Sequence, residues 1–225
     1  MERFGLAPEA EAAIDRLLVL LEADDDAPTT VRARAKALDV HVADSLSGLE
    51  LQAVRDARRI ADLGAGAGFP GLVLATALPR ARVSLVESVG RKCAWLERSI
   101  AAMGLANASA VNRRAEDWPQ GLGAHDLVTA RALAPLNVLV EYAAPLLAQA
   151  GALVAWKGRR DAAEERDGEA AASLLGLDLA EVRRVRPFPG ARDRHLYLYV
   201  KVGSTPNGYP RRPGMASKRP LRAST

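Results

Sequence analysis

Apolar positions fall into three regimes along the chain. Between Pro8 and Leu21, Ile14, Leu17, Leu18 and Leu21 recur at helical spacing while Glu11, Asp15 and Glu22 lie elsewhere on the surface, which predicts an amphipathic helix. Three adjacent carboxylates, Asp24 to Asp26, and then Pro28 end it by mutual repulsion and a missing backbone donor. From Ile60 onward, short β-branched runs alternate with Ala/Leu/Arg stretches. Strands are predicted over 59–63, 82–87, 108–112, 125–129 and 152–157, with helices over 71–78, 91–103 and 133–147, the last followed by Gly151. That alternation predicts an α/β fold whose parallel sheet is covered on both faces. Two later runs, 181–186 and 195–202, are joined by Pro187-Phe188-Pro189-Gly190, too short for a crossover helix, so they are expected to pair antiparallel. Beyond Gly203 the chain is rich in Pro and Gly, carries Arg211, Arg212, Lys218, Arg219 and Arg222, and has no acidic residue. The resulting organisation is an N-terminal helical arm (1–57), a ligand-binding domain (58–202) and a basic, flexible tail (203–225) expected to be disordered in isolation.

Composition narrows the class. With 225 residues, 49% hydrophobic and 26% charged, the chain is long enough to bury a core and is neither fibrous nor wholly disordered. The 31 Lys and Arg against 27 Asp and Glu give a net charge of +4, which permits a polyanionic partner without requiring one. Cys93, the single cysteine, excludes an internal disulfide, and His41, His125 and His195 match no zinc-ligand spacing, so no metal site is expected. Neither a leader-like start nor an apolar run of about 18 residues is present, so a cytoplasmic protein without a membrane partner is expected.

The most informative stretch is Ile60-Ala61-Asp62-Leu63-Gly64-Ala65-Gly66-Ala67-Gly68-Phe69-Pro70-Gly71, which leaves the first strand and opens a helix. Gly64, Gly66 and Gly68 allow a tight turn and close approach of a ligand to the backbone, at the carboxyl end of a strand where nucleotide cofactors bind. A dinucleotide fingerprint would need glycine where Phe69 stands. Asp62 would repel a pyrophosphate but attract the ammonium of a methionine moiety, which favours S-adenosylmethionine over NAD. Glu87, at the end of the second strand, is placed to accept from ribose hydroxyls in either case. After the third strand, Ala115 and Glu116 are placed to bracket and bind the adenine.

These residues occur in a longer series: His41-Val42-Ala43-Asp44-Ser45, the glycine turn with its Phe69-Pro70-Gly71 extension, Glu87-Ser88-Val89-Gly90-Arg91-Lys92, Arg114-Ala115-Glu116, Thr129-Ala130-Arg131-Ala132, Lys157-Gly158, Arg194-His195-Leu196 and Tyr209-Pro210-Arg211-Arg212-Pro213-Gly214. In that order, over roughly residues 30 to 221, the chain resembles the bacterial 16S ribosomal RNA guanine-N7 methyltransferases, the glucose-inhibited division protein B family. It departs at Pro28-Thr29-Thr30-Val31, where many relatives carry Asn-Leu-Thr, and at Glu87, where many carry Asp. The resemblance implies a class I methyltransferase Rossmann-like fold with a seven-stranded, mostly parallel sheet and an antiparallel final strand. It also implies cofactor contacts at Gly64, Phe69, Ala115, Glu116 and Arg131, and methylation of guanine 527 of 16S rRNA, free or in the small ribosomal subunit; a monomer is expected.

Guanine nitrogen 7 carries an in-plane lone pair and no proton, so such a reaction needs alignment rather than a general base. No catalytic acid or base is therefore assigned. Candidate RNA contacts are Arg131 and Lys157 at the ends of the fourth and fifth strands, Arg192 and Arg194 before the last strand, and Arg211, Arg212, Lys218 and Arg219 in the tail. His41 and Asp44, three apart on a predicted helix, form either a local pair that orients the arm or a substrate contact. Aromatics make up only 4% of residues, which favours recognition of folded RNA shape over stacking on single strands. Two alternatives stay open: a small-molecule or protein methyltransferase, and a non-catalytic RNA-binding module.

Overall fold

A computed structural model describes residues 2–223; Met1 of the arm and Ser224 and Thr225 of the tail lie outside the described residues. Helix α1 (Pro8–Ala23) leads into a winding segment made of α2 (Arg34–Ala37), a π-helical turn (Leu38–Ala43), α3 (Asp44–Leu46) and α4 (Gln52–Arg55). The domain follows as β1 (Arg59–Leu63), α5 (Gly71–Ala77), β2 (Arg82–Val86), α6 (Gly90–Met103), β3 (Ala108–Val111), β4 (His125–Arg131), α7 (Leu136–Ala143), β5 (Leu147–Lys157), α8 (Ala162–Leu175), β6 (Leu177–Val185) and β7 (Arg194–Lys201), and α9 (Met215–Lys218) closes the chain.

The seven strands lie in the order β3-β2-β1-β4-β5-β7-β6. β1 pairs parallel with both β2 and β4, and β7 runs antiparallel to β5 and β6. The order reverses at β1, so the crossovers to β2 and to β4 leave in opposite directions and open a crevice beyond the carboxyl ends of the two strands. Ile60, Ala61, Asp62 and Leu63 are all buried, as a central parallel strand covered on both faces requires. Among the described residues no helix is long and apolar enough to cross a membrane.

Two apolar cores flank the sheet. One joins Ile14, Leu17, Leu18 and Leu21 of α1 to Leu72, Leu74, Trp95 and Leu96. The other packs Leu139, Val140, Ala172 and Leu175 against Tyr197 and Tyr199. The N-terminal arm is thus continuous with the first core, and Arg16 ties it further by donating to the carbonyls of Ala102 and Met103 at the end of α6, where carbonyls lack helical partners.

Three local expectations change. The helix predicted over 133–147 is only α7, because Pro135 stands at its N-cap and Pro145 supplies no backbone donor to continue it. The following strand starts at Leu147 rather than 152, with an irregularity in its pairing to β4. Helix α8 has no counterpart among the expected elements: its buried stripe is Gly168, Ala171, Ala172 and Leu175, mostly too small to stand out as a periodic apolar face. Its ends are nevertheless well marked, since Asp161 accepts from the N–H groups of Ala163 and Glu164 and Gly176 closes it with a φ of +77°.

The largest correction concerns the tail, which is folded back on α7 and α8. Glu141, only 2% exposed in the middle of α7, receives both Nε and an Nη of Arg211. Tyr142 and Ser217 share a hydroxyl–hydroxyl bond of 3.0 Å, Asn137 donates to the Leu221 carbonyl, and the Ala223 N–H donates to Asp167. These partners lie 56 to 84 positions away, so no periodicity within the tail signals its docking.

Candidate active site

The loop after β1 is held in place before any ligand is considered. Gly68 has a φ of +98°, and a Cβ there would sit 2.2 Å from Leu72, so both backbone and space demand glycine. Glu87, 6% exposed, accepts from the Gly66 N–H at 3.1 Å and from the Val89 N–H at 2.8 Å, while Trp95 Nε1 donates to the Ala67 carbonyl. The carboxylate read as a ribose acceptor therefore also clamps the loop to the start of α6.

Asp62 is elsewhere. It is fully buried, Oδ1 accepting from the Thr129 hydroxyl at 2.8 Å and Oδ2 from the Gly71 N–H at 3.0 Å. Burial pushes its carboxyl up to about 7, against the opposing pull of those two hydrogen bonds. The ammonium contact read from the sequence does not fit a side chain enclosed in this way. Its place in the structure is to pin β1 to β4 and to the first residue of α5.

Two cavities open at the strand ends. A small one, about 90 Å³, is lined by Leu63, Gly64, Val86, Ser88, Ala115 and Glu116, which brings the turn and the residues after β3 together. Glu116 Oε1 accepts from the Gly214 N–H at 2.9 Å, so the tail forms part of this wall. The other, about 370 Å³, is lined by Val40, Asp44, Arg131, Trp156, Lys157 and Arg194 among others.

On the wall of the larger cavity, His41 and Arg131 stack on Phe69 of the turn, so three elements meet there. The His41 ring lies 4.6 Å from the Phe69 ring at 16°, and the Arg131 guanidinium sits 5.5 Å from the same ring's centre. Arg131 donates to Asp44 Oδ2 at 2.9 Å, to the Val40 carbonyl at 3.0 Å and to His41 Nδ1 at 3.1 Å. Since Nδ1 accepts, the proton of the neutral ring is on Nε2, 3.0 Å from the Thr29 hydroxyl. Burial, reinforced by the Arg131 charge, holds His41 down at about 4. His41 and Asp44 are joined through Arg131.

A family model for rRNA small subunit methyltransferase G matches residues 22–197. The chain belongs to that family. Among relatives of the same name, one from Rubrobacter xylanophilus is 42% identical over 188 residues, 81% of this chain and 72% of that protein. Another, from Carboxydothermus hydrogenoformans, is 34% identical over 225 residues, 97% of this chain and 95% of that protein. Solved structures share the fold at low identity. Aeropyrum pernix fibrillarin, in complex with natively bound S-adenosyl-L-methionine, aligns at a TM-score of 0.51 and 22% identity over 70% of this chain and 73% of its own. Methanococcus jannaschii fibrillarin aligns at 0.55 and 17%, over 68% and 70%.

In this member of the family, the basic residues read as RNA contacts separate into two groups. Arg131 and Arg211 are committed to buried carboxylates, and Lys157 is paired with Glu164 at 2.6 Å. Arg192, Arg212, Lys218 and Arg219 are exposed, and Arg194 lines the large cavity. His125 and His195 are buried, each with Nδ1 near a backbone carbonyl, of Gly121 and Gly158 respectively. Sequence reasoning missed Thr29, Val40, Trp156 and Tyr142, which reach the site only through the packing of the winding segment and tail on the sheet.

Proposed function

We propose that this chain is an S-adenosylmethionine-dependent methyltransferase acting on nitrogen 7 of guanine 527 in 16S rRNA. The observation that carries the reading is the pair of cavities at the strand ends, one walled by Gly64 of the glycine turn with Ala115 and Glu116, the other by Arg131, Trp156 and Arg194, with His41 and Arg131 of the second packed on Phe69 of the turn. The residues expected to hold the cofactor meet at this crevice. Gly64, Ala115 and Glu116 line the small cavity, and Glu87 follows β2 where it holds the Gly66 N–H, which supports a reading with Glu87 toward the ribose and Ala115 and Glu116 toward the adenine. Phe69, in contact with Arg131, extends the turn, and Gly66 and Gly68, both with positive φ, shape it.

Bound there, the cofactor supplies a methyl group on a positively charged sulfur. The protein's own work is positioning. The guanine nitrogen-7 lone pair forms the new C–N bond as the C–S bond breaks, no proton leaves nitrogen 7, and the base carries the positive charge away. A site without a free general base is sufficient for that chemistry, and neutral His41, engaged at both ring nitrogens, serves as a wall rather than a base. Alignment of the two reactants and exclusion of water supply the acceleration. Arg192, Arg194, Arg212, Lys218 and Arg219 provide the charge for the rRNA backbone.

The test is incubation with methyl-labelled cofactor and small ribosomal subunits lacking the modification, followed by mapping of the labelled nucleotide. Label at nitrogen 7 of guanine 527 is expected. Label on another base, on protein or on a small metabolite overturns the reading.

A further inference from the structure

One buried oxygen at the large cavity is left without a hydrogen bond. Asp44 is 5% exposed, and its Oδ2 is taken by Arg131, but Oδ1 has no hydrogen bond. Arg194 Nε approaches Oδ1 only to 3.5 Å and does not close that gap. A buried carboxylate oxygen without a donor is costly, and its persistence calls for a ligand. The other buried polar atoms without partners, Ser99 Oγ and Tyr199 Oη, are neutral hydroxyls away from this cavity.

The surroundings define what such a ligand must offer. Asp44 is fixed on one side by Arg131 and on the other by Trp156, whose indole N–H donates to the Asp44 carbonyl at 2.9 Å. A carboxylate held so firmly presents acceptor capacity and nothing else, so its partner must bring N–H or O–H donors. Among nucleobase edges, only guanine's Watson–Crick edge carries two adjacent donors, N1–H and the 2-amino group. Adenine sets a lone pair at N1 beside its amino group, cytosine sets lone pairs at N3 and O2 beside its own, and uracil flanks its single N3–H with two carbonyl oxygens.

We infer that Asp44 Oδ1 reads the Watson–Crick edge of the target guanine, accepting from N1–H and the 2-amino group. This rests on the guanine reading above and adds the residue that selects the base. Nitrogen 7 lies across the purine from that edge, so the contact leaves the nucleophile unobstructed. Arg194, on the same cavity wall, is placed to donate to oxygen 6. The contact also strengthens during reaction: as nitrogen 7 is alkylated the ring becomes cationic and N1–H a stronger donor, so the carboxylate favours the transition state over the bound substrate.

The test uses small subunits reconstituted with rRNA bearing either guanine or inosine, which lacks only the 2-amino group, at the target position, and measures single-turnover methylation at saturating cofactor. The parent protein is expected to lose about tenfold in rate on inosine, as befits a hydrogen bond to a charged group. In Asp44→Asn and Asp44→Ala the rate on guanine falls sharply, and the further drop on inosine shrinks to less than about twofold, the non-additivity that marks direct contact. Asp44→Asn keeps the side-chain shape and an oxygen for Arg131, and carries the measurement if Asp44→Ala does not fold. An unchanged inosine penalty in the variant, or no penalty in the parent, overturns the assignment. Failure of the parent to methylate guanine at all instead overturns the proposed function.

Discussion

Glu116 on the wall of the small cavity accepts from the backbone N–H of Gly214, 98 positions further along the chain. The tail is therefore part of the wall of the crevice proposed for the cofactor, where the sequence suggested a free RNA-binding extension. Tyr142 strengthens the link, lining the same cavity while bonded to Ser217. Truncation after Thr205 is expected to weaken S-adenosylmethionine binding at least about tenfold, the value of one hydrogen bond to a charged group. Titration calorimetry checks this, and equal affinities for full-length and truncated protein would contradict it.

Arg211 and Glu141 anchor that docking. Removing only the cation, as in Arg211→Met, leaves a carboxylate uncompensated in α7 and is expected to cost about 3–5 kcal/mol, less if the tail peels away and admits water. Replacing both, as Glu141→Leu with Arg211→Met, is expected to recover most of that stability, because an apolar pair needs no compensation. Urea unfolding of the two single variants and the double variant measures it. Equal destabilisation by the single and double changes would show that the pair is not what holds the tail.

Exposed cations on the tail and rim are the ones free for the proposed phosphate contacts, since Arg131 and Arg211 pair with buried carboxylates. Charge removal at Arg212, Lys218 and Arg219 is expected to reduce the slope of log binding constant against log salt by about 0.7–0.9 for each phosphate that is no longer neutralised. Binding to small subunits across a salt series reads it directly, and an unchanged slope would take these three residues out of the interface.

The sheet is readable because its strands alternate with helices and β1 runs into a glycine turn, two signals that are local. Asp62 shows where locality fails. Its position before Gly64 suggests a ligand contact, but which way its side chain points is decided by Thr129 and the Gly71 N–H, one of them 67 positions away. The same holds for Arg131, whose partners Val40, His41 and Asp44 reach it only when the winding segment packs on β4. Helix α7 is shorter than expected for a simpler reason, since Pro135 and Pro145 are visible in the sequence and outweigh the apolar pattern between them.

Gly71 tests the buried end of the turn. A Cβ there would lie 2.3 Å from Leu85, 2.7 Å from Asp62 Oδ2 and 2.9 Å from Asp62 Cβ, all in the packed centre of the domain. Gly71→Ala is expected to destabilise by about 1–3 kcal/mol through overpacking. Its effect should reach the loop, because the Gly71 N–H is one of the two donors to Asp62. Thermal unfolding with and without cofactor separates the two consequences; a variant as stable as the parent would mean that Leu85 and Asp62 yield more easily than their burial indicates.

Asp62 and His41 oppose each other in acid. With its folded value pushed up to about 7, Asp62 stays protonated in the native state while the unfolded chain ionises near 3.8, so its contribution declines as pH rises from about 4 to about 7. His41, held down at about 4 against 6.5 when unfolded, does the reverse: the unfolded chain takes up a proton first, and stability falls as pH drops from about 6.5 to about 4. Over the shared window the two slopes largely cancel, each bounded by about 3–4 kcal/mol in total. Asp62→Asn is expected to gain on the parent as pH rises through this window, and His41→Phe to gain on it as pH falls. Denaturant midpoints from pH 4 to 8 measure both differences. If either difference stays flat with pH, that residue's native ionisation is not what its burial dictates.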